Sequence, residues 1–225
     1  QQLGFQLTAA QARVIEEIFQ DLGSKTPMLR LVQGDVGSGK TVVAAFSALV
    51  AITSGHQVAL MAPTEILAAQ HHQTFEQWLK PLSMAPRLIT GSLKPSARKA
   101  HLDALNSGEA EMVIGTHALF QEGVEFSRLG LIIIDEQHRF GVHQRMALRD
   151  KGRENQSTPH QLIMTATPIP RTLTMTLYAN MDCSVIDELP PGRTPIETRV
   201  LANNKRHSVM ERLRDACSKG AQAYW

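Results

Sequence analysis

The sequence predicts an α/β fold, a doubly wound and mostly parallel sheet flanked by helices. Three observations point to it. Short β-branched or apolar runs alternate with helix-length amphipathic stretches along the chain. Most of the runs, such as Leu131-Ile132-Ile133-Ile134, are apolar at consecutive positions, which suits strands buried on both faces. One of them leads into a glycine-rich turn that opens a helix. Composition agrees: of 225 residues, 43% are hydrophobic and 20% charged, ordinary for a globular core and too apolar for a disordered chain. No apolar run approaches the ~20 residues of a bilayer span, so no membrane partner is expected. Cys183 and Cys217 are too few for a disulfide framework or an unaided four-ligand zinc site, which makes a reducing compartment the default. The net charge of +2 is too small to identify a nucleic-acid partner, so that reading needs local features.

In chain order, the pattern predicts a helix over 8–22, a strand over 28–33, a helix over 39–54 and a strand over 57–61. A helix over 65–79 follows, with Ile66, Leu67, Phe75, Trp78 and Leu79 near one face. Strands are expected over 87–89, 112–115, 129–134, 161–165 and 183–187, with helices over 95–106, 142–151 and 170–178 between them. The stretch Glu188-Leu189-Pro190-Pro191-Gly192-Arg193-Thr194-Pro195 can continue neither a helix nor a central strand. It divides a first domain, 1–187, from residues 196–225, with 188–195 as linker. The remainder reads as a strand over 198–201, a helix over 205–219 and a strand opening at Gln222-Ala223-Tyr224-Trp225. That is too little for an independent core. With Gln1 in place of an initiator methionine, the chain reads as a fragment of a longer protein whose second domain has only begun.

The chemistry lies at strand ends. Gly34-Asp35-Val36-Gly37-Ser38-Gly39-Lys40-Thr41 matches the phosphate-loop pattern G-x-x-x-x-G-K-[ST], between a strand and a helix as the pattern requires. Its glycines let backbone N–H groups turn inward around phosphates, and the helix N-terminus adds partial positive charge. Lys40 is expected on the β/γ-phosphates and the Thr41 hydroxyl on Mg2+. The strand Leu131–Ile134 ends in Asp135-Glu136. Ligands of parallel sheets bind at the carboxyl ends of strands, so both acids are expected in the same crevice. Asp135 would hold Mg2+ through water, and Glu136 would orient and activate an attacking water, which favours hydrolysis.

Four strings carry a resemblance. Asp135-Glu136-Gln137-His138 resembles the DExH box of superfamily 2 helicases, and Thr165-Ala166-Thr167-Pro168 their [ST]-A-T motif. Ala62-Pro63-Thr64-Glu65 resembles motif Ia, and Leu7-Thr8-x-x-Gln11 the adenine-reading Q motif. Their order and spacing cover nearly all of residues 5–187. The longer strings around Lys40, around Asp135 and from Thr165 to Leu173 are similar to the bacterial ATP-dependent DNA helicases that remodel stalled forks. They are also similar to the transcription-repair coupling factors, although Gln137 and Ile186–Pro195 look less like the latter.

The resemblance implies a RecA-like P-loop NTPase lobe with ATP and Mg2+ as cofactors. It places Gln11 on the adenine edge, although Thr8-x-x-Gln11 also reads as a helix capping box that needs no ligand. Phe5 is a weaker candidate for stacking on the base. His138, Thr165 and Thr167 would couple the γ-phosphate site to DNA movement. Pro63, Thr64, Glu65, Thr90, Gly91, Gly115, Thr116 and His117 would touch the DNA backbone, contacts that position without reading sequence. Lys94, Arg98, Lys99, Arg139, Arg145 and Arg171 could extend a phosphate-facing surface or simply be solvated. His71-His72 has no metal-ligand spacing and receives no role, and Met175 reads as core filler.

Branched or forked DNA is the implied partner, through the parent protein, with single-stranded DNA-binding protein as a further candidate and the bacterial cytoplasm and nucleoid as the location. The second lobe of this family supplies arginine fingers. A chain ending at Trp225 is therefore expected to be a feeble ATPase, with ~10³–10⁵ of the rate missing, and no helicase by itself. Other P-loop trades fit less well. The nearest string to a GTPase N-K-x-D is Asn204-Lys205-Arg206-His207, and the transporter L-S-G-G-Q is absent from the sequence.

Overall fold

A computed structural model describes residues 6–121, 123–136, 158–167, 181–188 and 196–225. The expected helices over 142–151 and 170–178 lie outside these residues, as do Phe5, His138, Arg139, Arg145, Arg171 and Met175. The chain divides into two compact units, Gln1–Pro191 and Gly192–Trp225.

In the first unit the strands are β1 (Leu29–Gly34), β2 (Gln57–Met61), β3 (Arg87–Ile89), β4 (Met112–Gly115), β5 (Leu129–Asp135), β6 (His160–Thr165) and β7 (Asp182–Ile186). They form one sheet in the order β3-β4-β2-β5-β6-β1-β7, and every pairing among the described residues is parallel. Among the described residues of this unit the α-helices are α1 (Ala9–Leu22), α2 (Lys40–Thr53), α3 (Glu65–Leu79) and α4 (Pro95–Ser107).

The continuous apolar runs have a direct physical cause. Successive strand side chains point to opposite faces, and here both faces are covered. Leu131 and Ile133 of β5 pack with Val32, Leu60, Ile114 and the apolar sides of α1, α2 and α3. Ile132 and Ile134 pack on the opposite side with Met61, Val113, Ile163 and the α4 residues Ala104 and Leu105. Fully burying a branched aliphatic side chain is worth about 1.5–3 kcal/mol relative to leaving it exposed. No polar alternation can therefore survive in these strands.

Helix α1 is fastened to the sheet by charge as well as by packing. Arg30 of β1, with its side chain only 11% exposed, donates to Asp21 at 2.6 Å, to Glu17 at 3.2 Å and to the Ser184 hydroxyl at 2.8 Å. Arg13 donates to the Val185 carbonyl at 2.8 Å and to Asp187 at 3.1 Å. The Glu188 carboxylate, assigned to the linker by sequence, accepts the Ala10 N–H at 3.1 Å in the first turn of α1. Negative charge is favoured there by the exposed N–H groups and the helix dipole.

The second unit differs from expectation. Residues 198–201 and 222–225 form no strand, and the unit's helix is α5 (Arg206–Ser218). A strand needs a neighbour for its backbone N–H and C=O groups, and propensity alone supplies none. Val200 is 95% exposed, and Tyr224 is fully exposed. Trp225 instead lies beneath the Arg206 guanidinium, 5.4 Å from the ring centroid.

At the amino end of the sheet, His160 accepts the Met28 N–H through Nδ1 at 3.0 Å. Burial holds its pKa below the ordinary histidine value, with His56 acting in the same direction and Asp21 against it. A proton on Nδ1 would remove the acceptor. The unfolded chain therefore takes up this proton at a higher pH than the folded one, and stability rises with pH between the two pKa values. Lowering the pH from about 7.5 to about 5.5, across the ordinary histidine range, is expected to lower the urea midpoint. His160→Gln, which keeps an acceptor but cannot titrate, should lose measurably less over the same interval. Equal losses would remove this histidine from the account.

Candidate functional site

In a wholly parallel sheet every strand ends at the same edge, and the residues singled out by sequence gather there. The phosphate loop follows β1, Glu136 follows β5 and Ala166 follows β6, on three adjoining strands in the order β5-β6-β1. The loops carrying Pro63 and Thr64, Thr90 and Gly91, and Thr116 and His117 follow β2, β3 and β4, which adjoin in the order β3-β4-β2. The edge therefore has two halves.

The phosphate loop is shaped by glycine. Gly39, immediately before α2, has φ +91° and no side-chain cap, so the first N–H groups of the helix keep no capping side chain. A Cβ there would lie 2.2 Å from Gln11 Nε2, and one on Gly34 would lie 2.4 Å from the Ser38 hydroxyl. Gln11, 6% exposed, links α1 to the loop. Its Oε1 accepts the Thr8 N–H at 3.0 Å, the Thr8 hydroxyl accepts the Gln11 N–H at 3.2 Å, and its Nε2 donates to the Ser38 carbonyl at 2.9 Å. The capping box is thus present, and the same amide fixes the loop. Ser38 Oγ is buried without a hydrogen-bond partner among the described residues.

Lys40 bends back over the loop and donates to the Gly34 carbonyl at 2.5 Å and the Asp35 carbonyl at 3.0 Å. Burial pulls its ammonium below the ordinary lysine pKa, while the carboxylates of Glu136, Asp135 and Asp35 oppose that shift. The glycine loop and the acidic tip of β5 therefore act on the same charge. Sequence spacing could not establish that proximity.

Glu136 has φ +50°, a left-handed backbone that costs a non-glycine residue roughly 1–2 kcal/mol. Its N–H donates to the Met164 carbonyl at 2.9 Å. Its carboxylate accepts from Ala166 N–H at 3.1 Å and from the Thr165 hydroxyl at 3.3 Å, and that hydroxyl accepts from Thr167 N–H at 3.1 Å. Glu136, Thr165 and Thr167 form one connected group. His138 falls outside the described residues.

On the other half, Thr64 caps α3 by accepting the Leu67 N–H at 3.3 Å. The Glu65 carboxylate accepts from Ser92 N–H at 3.1 Å and the Ser92 hydroxyl at 2.6 Å. The Ser92 hydroxyl bond is the main reason its pKa lies below the ordinary carboxylate value. Slight burial opposes that shift, while the N–H groups of Ser92 and Gly91 and the charge of His117 assist it. Thr90 Oγ1 lies 3.1 Å from Ser92 Oγ, and Thr116 Oγ1 is buried without a partner among the described residues. Ser92 was missed by sequence reasoning; its place two residues beyond Thr90 was the available signal. Lys94 precedes α4, Lys99 is exposed, and Arg98 donates to Gln121 at 3.2 Å.

Sequence reasoning also passed over His71. Its Nε2 lies 2.8 Å from Asp135 Oδ2, and the two side chains are 11% and 14% exposed. No spacing rule connects them, because α3 and β5 meet only in the fold.

Gly39→Ala should destabilise the chain by about 1–2 kcal/mol from the backbone alone, plus the displacement of Gln11. In a Gln11→Ala background the second part should vanish. Urea denaturation of the two single variants and the double variant measures the coupling; strict additivity would show that the contact carries nothing.

The DEAD/DEAH box helicase family model matches residues 8–176. ATP-dependent DNA helicase RecG of Haemophilus influenzae is 59% identical over 224 residues, covering 99% of this chain and 32% of that protein. RecG of Aquifex aeolicus is 48% identical, covering 100% of this chain and 28% of that protein. The chain thus spans about a third of the curated relatives it matches. A solved structure of RecG bound to a three-way DNA junction superposes with a TM-score of 0.85 at 42% identity, covering 98% of this chain and 29% of that one. The helicase MrfA, at 17% identity and a TM-score of 0.66, shares the fold. With its RecA-like sheet and its strand-end loops, the chain belongs to the DEAD/DEAH box helicase family.

Proposed function

We propose that this chain is the ATP-binding motor lobe of a RecG-like DNA helicase that couples ATP hydrolysis to remodelling of branched or forked DNA. The observation that carries the reading is the divided sheet edge, where the Lys40–Asp135–Glu136 group and the Thr64–Thr90–Thr116 loops occupy adjoining strand ends of one rigid sheet. On this reading 1–187 is the first lobe, 188–195 the linker and 196–225 the opening of the second lobe. The similarity to RecG, and the junction held by its solved relative, support branched DNA as substrate. Single-stranded DNA-binding protein as partner and a place in the bacterial cytoplasm and nucleoid rest on the resemblance alone. No described helix is long and apolar enough to cross a membrane.

The residues fit ATP and Mg2+. The uncapped start of α2 and the orphaned Ser38 hydroxyl suit a triphosphate. The Thr41 hydroxyl and one Asp135 carboxylate are hard oxygen donors, the sparse set Mg2+ uses when phosphates complete its shell. When bound, the metal would supply neutralisation of the charge that develops on the phosphate oxygens. Lys40 would exchange the Gly34 and Asp35 carbonyls for phosphate oxygens. Glu136, aimed by Ala166 and Thr165, would orient the attacking water and take its proton. Thr165 and Thr167 would pass the state of that carboxylate to the neighbouring loop, while Gln11 would add an adenine contact to its two structural bonds.

Thr64, Thr90, Gly91, Gly115, Thr116 and His117 would meet DNA phosphates through N–H and side-chain donors, while Pro63, which has no donor, would touch the backbone only through its ring. The Glu65 carboxylate has no proton to donate to a phosphate, so its contribution is to hold Ser92 and Gly91 in place.

Lys40→Ala should reduce ATP turnover of the intact helicase carrying this chain by ~10²–10³-fold. Glu136→Gln should reduce it by ~10²–10⁴-fold while nucleotide binding persists. Turnover near the unsubstituted rate in either variant would contradict the site. Glu65→Ala offers a test of opposite sign. Deleting a negative charge beside phosphates should tighten DNA binding if charge alone mattered, whereas loosening of the Ser92 loop should weaken it several-fold. A forked-DNA titration at fixed salt decides between them.

A further inference from the structure

We infer that His71 is a positioning residue for the metal-holding carboxylate: from α3, its Nε2–H donates to Asp135 Oδ2 and fixes the rotation of that side chain. The inference rests on the proposed reading of Asp135 as the Mg2+ carboxylate. Its own support is geometric. The contact is 2.8 Å between two side chains that are each nearly buried, 11% and 14% exposed. The neighbouring His72 makes a different bond, to the Pro86 carbonyl at 2.9 Å, so the pairing is specific to one face of the helix. The terminal torsion of an aspartate is broad and poorly fixed by rotamer preference, so a carboxylate at a strand tip needs an external partner to hold one orientation. A donor to one carboxylate oxygen supplies it, in the way that hydrogen-bond partners behind metal ligands set their direction.

The bond also ties the two halves of the sheet edge together. Helix α3 begins at Glu65, which holds Ser92 in the neighbouring loop. Six residues later the same helix reaches Asp135 through His71. A rise of ~1.5 Å per residue puts these two points about 9 Å apart along one rigid element.

The test uses Mn2+ as the metal probe with a non-hydrolysable ATP analogue bound to the chain. Mn2+ affinity is read by electron paramagnetic resonance, and analogue affinity is read separately in excess chelator. His71→Leu, which has no donor, should weaken Mn2+ binding about tenfold and leave the metal-free analogue affinity unchanged. His71→Gln, which keeps an N–H donor at similar reach, should restore most of it. The loss should disappear in an Asp135→Asn background. Mn2+ affinity in His71→Leu equal to that of the unsubstituted chain, or an undiminished loss in the Asp135→Asn background, overturns the inference. Asp135→Asn alone binding Mn2+ as well as the unsubstituted chain instead overturns the metal-site reading beneath it. Should His71→Leu not fold, the unsubstituted chain still answers. Its His71 ring must carry the proton on Nε2 by nitrogen-15 resonance and respond to metal addition, and the Nδ1–H tautomer would refute the proposal.

Discussion

A strand buried on both faces can present chemistry only at its ends. That constraint organises this chain. Once Leu131 through Ile134 are committed to two cores, Asp135 at the end of β5 and Glu136 just after it are the next positions, and there polar groups escape full burial. Because the neighbouring strands run parallel, their loops arrive at the same edge. The phosphate loop, the acidic tip and the Thr165 turn are thus brought together by the sheet, and so are the loops after β2, β3 and β4.

The acidic tip shows what that placement costs. Glu136 adopts a left-handed backbone, and its carboxylate is held by Ala166 and Thr165. A strained residue persists only where surrounding contacts over-determine it, and such residues cluster where function needs a fixed direction. Lys40 is under a related tension. Its ammonium is drawn in among loop carbonyls, losing hydration, while three carboxylates hold its charge. On the proposed reading, a triphosphate would give that ammonium anionic oxygens in place of the loop carbonyls.

Much of this was legible in the sequence, for physical reasons that differ by element. Strands β2, β3 and β4 match expectation residue for residue; β2 and β4 are buried at every position, whereas β3, at the sheet edge, buries only Ile89 fully. Helix α1 begins where Thr8 and Gln11 mark it, since a capping box is a local bargain that needs no tertiary partner. Residues 198–201 carry the same β-branched signal and form no strand, because pairing depends on a neighbour the unit does not provide. The His71–Asp135 and Glu65–Ser92 contacts join residues far apart in the chain; the sequence marked Asp135 for Mg2+ and Glu65 for DNA but gave His71 no role, because no spacing rule reaches across the fold. Conversely, Gln11 was readable as a cap and as a nucleotide contact, but its bond to Ser38 needed the fold to bring α1 onto the loop.

The central claim is that the glycine loop and the tip of β5 share one magnesium-bound triphosphate. A crystal structure of the chain with a non-hydrolysable ATP analogue and Mg2+ tests it most directly. Lys40 is expected to leave the Gly34 and Asp35 carbonyls for the phosphates, with the metal beside Thr41 and within one water of Asp135. A Lys40 still folded onto those carbonyls, with the metal remote from Asp135, would contradict it.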